Sequence, residues 1–200
     1  TLTFSAWIKP SNDNKLGYIL GRSHTNANLG EYSLILLDDS RVAFSISANT
    51  GYPQYFIFDD ISSYFPNWVH ITVTHKFGDA SSTRAYINGV QSSSGSWGAY
   101  NGNTVYTTCG STGCGLDIGH WFGTPFGTSN LYWFHGSIGK VSMWKSALSS
   151  TEINNIYSSQ KAAFLQALCG NGVTEGSEQC DDGNTVNADA CSNSCVTQDV

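Results

Sequence analysis

Acidic and amide side chains crowd the end of the sequence, where Glu178, Asp181, Asp182, Asn184, Asn187 and Asp189 alternate with turn-forming residues. Hard oxygen ligands at this density on a loop are what Ca2+ takes, so these six side chains are candidate Ca2+ ligands. The spacing is not that of an EF-hand, because counting from Asp182 the required positions fall on Asn184 and then on Val186. A second reading stands beside the first: a solvated acidic turn in which Asp182-Gly183 and Asn184 shape the backbone.

The acids sit among four cysteines, Cys169, Cys180, Cys191 and Cys195, with ten, ten and three residues between them. Such a cluster flanked by turn residues reads as a disulfide framework formed in an oxidising, extracellular space. A segment of about thirty residues buries too little apolar area to offset its ordering entropy, so the bridges must supply much of its stability. Three connectivities are open. The other two cysteines, Cys109 and Cys114 in "CGSTGC", close a small ring worth about 2 kcal/mol as a local staple. The alternative for that pair, a Zn2+ site, would have to recruit a distant histidine such as His120.

Chemistry on a bound substrate finds little support. Paired carboxylates for glycoside cleavage must face each other roughly 5–10 Å apart. Before the cysteine-rich segment the glutamates are Glu31 and Glu152, and no two acids lie two or four apart on a strand. The adjacent pairs Asp38-Asp39 and Asp59-Asp60 fall where turns are expected and would point to opposite sides if extended. His70 and His75 are five apart on a strand, and no Gly-x-Ser-x-Gly elbow occurs. The chain therefore reads as non-catalytic.

Flat rings are the remaining resource. Trp97, Tyr100, Trp121 and Phe126 lie in Gly/Ser/Thr-rich segments and are candidate contacts for a protein partner or a sugar face. Tyr132, Trp133 and Phe134 abut a strand, and at least two of them are expected to be buried. Trp7, Trp68 and Trp144, inside alternating segments, read as core.

The elements that must position these groups are short and alternate with period two: "TLTFSAWIKP", "GYILGRS", "EYSLILLD", "RVAFSISA", "QYFIFDD", "WVHITVTHK", "RAYINGVQ", "GLDIGHW" and "GSIGKVSMW". Asn88-Gly89 and Asp38-Asp39-Ser40 are turn signals between them. In "WVHITVTH" one face carries Trp68, His70, Thr72 and Thr74 and the other Val69, Ile71, Val73 and His75, which predicts a sheet with one packed and one wetter side. Many antiparallel strands with tight turns make a β-sandwich. Helical signals come late, in "LSSTEINNIY", where Ser150 or Thr151 could cap, and in "QKAAFLQAL" at 160–168.

Residues 1–168 hold nine Lys+Arg against nine Asp+Glu, whereas 169–200 hold none against six, so the net charge of −6 belongs to the last segment. No basic face for nucleic acid is implied. No apolar run exceeds the strand-sized "LILL" at 34–37, far short of a membrane span.

The order "FSAWIKP", "NWVHITVTHK", "AYINGV", "LDIG" and "FHGSIGKVSMWKSALSSTEINNIY" resembles the laminin-G-like branch of the concanavalin A-like lectin/glucanase superfamily. The resemblance implies an all-β, antiparallel jelly-roll sandwich over 1–158, with a first strand of the fold upstream of this sequence, so the chain reads as a piece of a longer protein. A helical connector at 159–168 follows, and then, at 169–200, a segment that resembles the Myxococcus-type cysteine-rich repeat of large secreted and surface proteins, pappalysin-like ones included.

Together these readings describe an extracellular structural or adhesion module of a large surface or filament-forming protein, contacting neighbouring subunits, domains or glycans. The alternatives are a Ca2+-dependent lectin and the targeting module of a secreted hydrolase or protease. No Asn-x-Ser/Thr sequon is present, although the Ser/Thr-rich loops leave O-linked sugars open.

Overall fold

The computed structural model describes residues 1–13, 15–24, 32–47, 53–98, 114–120, 133–165, 170, 172, 174, 178–184, 186–187 and 190–198. Its strands are β1 (Leu2–Pro10), β2 (Gly17–His24), β3 (Tyr32–Leu36), β4 (Arg41–Ser47), β5 (Pro53–Asp60), β6 (Val69–Lys76), β7 (Asp79–Ile87), β8 (Val90–Gln91), β9 (Ser96–Trp97), β10 (Cys114–Ile118) and β11 (Gly136–Trp144). They pair antiparallel in two sheets, of order β11-β1-β6-β7-β8 and β10-β2-β3-β4-β5-β9, as an antiparallel jelly-roll sandwich requires.

Alternation explains the core. In β1, Leu2, Phe4, Ala6 and Ile8 point inward and join Val69, Ile71 and Val73 of β6, Leu34 of β3, Phe44 of β4 and Phe58 of β5 in one buried cluster. Phe4 spans the two sheets, with ring centroids 6.2 Å from Phe44 and 5.0 Å from Tyr32. Burying each such side chain stabilises the fold by about 1.5–3 kcal/mol.

The expected wetter face of β6 is instead dry. His70, Thr72 and Thr74 are as buried as Val69, Ile71 and Val73. β6 is the central strand of its sheet, and its second face packs around Trp7, whose ring lies 5.0 Å from that of His70. The Ser5 hydroxyl and His70 Nε2 share a 2.6 Å hydrogen bond, and the Thr3 hydroxyl donates to the Ser146 carbonyl while accepting the Leu148 N–H. The Ser5–His70 and Thr3 bonds satisfy polar atoms on this covered face, while the Thr72 hydroxyl is buried without a hydrogen bond; period-two reading mistakes such a face for solvent exposure. Of Trp7, Trp68 and Trp144, all read from the sequence as core, only Trp7 is fully buried; Trp68, just before β6, and Trp144 are half-buried.

Turns follow the sequence signals. Asn88 (φ 50°) and Gly89 (φ 76°) make the β7–β8 hairpin, and Ser40 (φ 65°) closes the turn between β3 and β4, where its N–H donates to the Leu37 carbonyl. β9 was not legible, because a two-residue strand in "SGSWG" shows no alternation; it pairs Trp97 with Phe56 and Ser96 with Ile57.

The two late helical signals form one helix, α1 (Ser150–Phe164), rather than two. Its cap is Ser149, not Ser150 or Thr151. The Glu152 N–H donates to the Ser149 hydroxyl, while the N–H and hydroxyl of Ser149 both donate to the Glu152 carboxylate at 2.7 Å, a reciprocal capping box. Those bonds hold the Glu152 carboxyl below its usual range. None of the described helices is long and apolar enough to cross a membrane. The chain divides into two compact units, Thr1–Asn154 and Asn155–Val200.

Candidate functional site

In the first unit, β7 and the segment from Gln91 to Trp97 wall an open groove of about 450 Å3. Trp97 and Phe56 are its aromatic lining residues, and Ser81, Thr83, Arg84, Gln91, Ser92, Ser93 and Ser96 its polar ones; of these the Ser81 hydroxyl donates to the Asp79 carboxylate at 2.6 Å. Trp97, read from the sequence as a loop residue, belongs to β9 and is half-buried: its ring packs edge-on against Phe56 at 5.6 Å and His75 at 5.7 Å, and its indole N–H donates to the Ala80 carbonyl at 3.1 Å. Gly95 lies flat against Phe56, because a Cβ there would collide with the ring. Arg84 is the charged residue of the lining; its Nη1 donates to the Ser81 and Thr83 carbonyls at 2.6 and 2.7 Å. The wall is tied to the core through Thr83, whose hydroxyl bonds His75 Nδ1 at 2.8 Å.

Beside it lies a smaller groove of about 290 Å3, lined by Arg41, Asp59, Asp60 and Ser94 among others. Strict alternation would part Asp59 and Asp60, but a register shift pairs Arg41 with Asp60 and Val42 with Phe58, so both acids border one groove. They are engaged locally: the Ser94 hydroxyl donates to Asp59, and the Ser62 N–H donates to Asp60 at 2.8 Å. Asp39 likewise serves its turn. The Arg41 side chain hydrogen-bonds to it at 2.8 Å and holds its carboxyl below the usual range.

Two constellations have the residue types of acyl-transfer chemistry without its geometry. Ser5 and His70 are bonded but fully buried, out of a substrate's reach. Near the end of β1, Asp13 accepts the Ser11 hydroxyl at 2.9 Å and lies 2.7 Å from His135 Nδ1, so the carboxylate sits between serine and imidazole and the serine lacks a base. Burial drives His70 down to about 4, and burial, opposed by Asp79, drives His75 down to about 4.

Tyr100, Trp121 and Phe126 lie outside the described residues. Of Tyr132, Trp133 and Phe134, at least two of which were expected to be buried, Tyr132 lies outside the described residues, Trp133 is 50% exposed and stacks on His120 at 5.0 Å and 15°, and Phe134 packs partly against the core. Cys109 lies outside the described residues; Cys114 opens β10, its backbone paired with His24.

In the second unit Cys180 and Cys191 form a disulfide with Cα atoms 5.8 Å apart, which excludes two of the three connectivities. Cys195 is disulfide-bonded as well. Cys169 and Asp189 lie outside the described residues. The acids turn to the backbone: Asp181 accepts N–H donors from Gly170, Gly172 and Gly183 at 2.8–2.9 Å, and all three glycines have positive φ. Asp182 accepts from Asn184, Asn184 from Val186, and Asn187 from Asn193. Ligand atoms of Glu178, Asp181 and Cys195 lie within 4.8 Å of one another, but the Cys195 sulfur is already in its disulfide and both Asp181 oxygens hold amides. Asp181 thus uses three of its acceptor positions on backbone amides, the bonding expected of an acidic turn.

Comparison with known proteins agrees with this division. Residues 1–154 match the family model described as the concanavalin A-like lectin/glucanases superfamily. Residues 153–196 match one described as a domain of unknown function, DUF4215. No curated protein matches the sequence. Among solved structures, the receptor binding domain of botulinum neurotoxin D is similar at 19% identity and a TM-score of 0.55, over 80% of this chain and 37% of that one. The binding domain of botulinum neurotoxin DC in complex with rat synaptotagmin II is similar at 16% and 0.51, over 79% and 35%. A botulinum neurotoxin type C structure, whose cell entry is described as dependent on two ganglioside molecules, is similar at 14% and 0.52, over 84% and 36%. The chain thus spans little more than a third of each, and at these identities the likeness is one of fold.

Proposed function

We propose that this chain, which belongs to the concanavalin A-like lectin/glucanases superfamily through residues 1–154, is a non-catalytic extracellular module of a large surface or filament-forming protein, holding protein or glycan partners through its sandwich and joined to the rest of that protein by its disulfide-stapled tail. The observation that carries this reading is the groove beside Trp97, a concave surface of hydroxyls, indole and one guanidinium whose lining contains no carboxylate. Such a surface can hold a ligand but offers no acid or base to cut it. The fold is shared with domains that, by their descriptions, sit against synaptotagmin II or depend on gangliosides, which supports both partner classes. The Cys180–Cys191 bridge fits an oxidising compartment.

Cross-linking mass spectrometry on the native surface material tests the reading. Sandwich lysines such as Lys9, Lys140 and Lys145, all exposed, should link to residues of a neighbouring chain or domain. Links confined to the module itself, or turnover of a polysaccharide by the isolated chain, would contradict it.

A further inference from the structure

The Trp97 groove has a chemistry narrower than "binding". A groove for an apolar peptide would not be walled by serine hydroxyls, and one for a cation would carry acids where this one carries Arg84. A single guanidinium is too little for a nucleic acid backbone. The indole N–H of Trp97 is already spent on the Ala80 carbonyl, so the ring offers the groove carbon surface alone. Arg84 uses Nη1 on two backbone carbonyls, which fixes the guanidinium along the wall and leaves three of its five N–H donors for another acceptor. A guanidinium fixed in this way matches the two oxygens of a carboxylate or sulfate. The wall is also preorganised, since Thr83 is bonded to buried His75 and Gly95 is laid against Phe56, so little ordering remains to oppose binding.

We propose that this groove binds a short acidic glycan, the anion of a uronate, sialate or sulfated sugar seated on Arg84, its C–H faces on the aromatic surface and its hydroxyls on Ser93 and Ser96. The inference rests on the binding-module reading and names that module's site and ligand class.

The test is a glycan array probed with the whole chain, carrying sialyllactose, uronate disaccharides and sulfated lactose beside their neutral parents, with a hexaglutamate peptide as a further spot. The expected result is signal on the acidic sugars alone, weakened about tenfold or more in both Arg84→Gln and Ser93→Asp and unchanged in Lys15→Gln, which is not a residue of the groove lining. Ser93 is exposed and its substitution leaves the core intact, so Ser93→Asp decides the matter even if Arg84→Gln perturbs the wall. Acidic-sugar binding indifferent to both variants would overturn the groove while leaving the module reading in place. Equal binding of neutral parents, capture of hexaglutamate without any sugar, or no binding by folded protein would overturn the inference too; the cross-links described above then decide the module reading separately.

Discussion

In the sandwich, Asp39 and Asp60 accept backbone N–H bonds at the edges of a body that Phe4, Phe44 and Phe58 already hold from within. In the tail, Asp181 gathers three glycine amides around a unit in which the buried described residues are Cys191 and Cys195, 4% and 3% exposed. The same interaction, a carboxylate bonding backbone N–H groups, trims turns in one unit and takes the place of a core in the other. Residues 169–200 contain no aromatic, histidine, lysine or arginine, so the tail has neither large hydrocarbon to bury nor cations to pair with its six acids. Sulfur links and side-chain-to-backbone bonds are what is left to it.

Acid separates the two units most widely. His70 and His75 are held at about 4 in the folded sandwich and return to about 6.5 when it unfolds, so the unfolded chain takes up the extra protons. The stabilisation that accompanies their neutral burial is whole above pH 6.5 and is lost as pH falls toward 4, by about 3 kcal/mol for each histidine. Denaturant melts followed by tryptophan fluorescence report this selectively, since all six tryptophans lie at or before Trp144. A sandwich equally stable at pH 7 and pH 4.5 would break this side of the comparison.

Truncating the core comes next. Phe44→Ala removes a ring in contact with Phe4, His75 and Trp97 and should lower sandwich stability by about 4 kcal/mol, read in the same melts, with the Cys180–Cys191 bridge unaffected. In the tail Asp181→Asn keeps shape but weakens three charge-assisted bonds, a loss of about 1–2 kcal/mol seen as faster exchange of the Gly170, Gly172 and Gly183 amides. The smallest effect is expected from Ca2+: because both Asp181 oxygens are engaged, millimolar Ca2+ in calorimetry should leave tail stability unchanged, and a clear binding isotherm would restore the cation reading of Glu178, Asp181, Asp182, Asn184 and Asn187.

The strands were legible because burial imposes period two, and β1, β4, β6 and β11 fall where the alternation put them. What alternation could not reveal is where a polar face is itself covered: Thr72 and His70 look wet in sequence and are buried, because their partners Ser5 and Trp7 lie some 65 residues away along the chain. The groove was missed for a related reason. Its walls come from β7 and a serine-rich segment containing β9, and nothing in "SSSGSW" announces that Trp97 will pair with Phe56 and bring those hydroxyls to Arg84. The shared border of Asp59 and Asp60 needed a bulge, which is a property of the pairing and not of either strand alone. In the tail, composition and cysteine spacing announced the staples, while the choice of Cys180–Cys191 and the use of Asp181 as an amide acceptor emerged only from the folded backbone.

The claim that the two units are held by different forces is tested most directly by hydrogen exchange on the Cys180→Ser/Cys191→Ser double variant, read separately over β6 and over the tail. Protection of the Gly183, Ser192 and Gln198 amides should vanish while that of Ile71 and Val73 stays at its wild-type level. A tail that keeps its protection without the bridge, or a β6 that loses its own, would contradict the account.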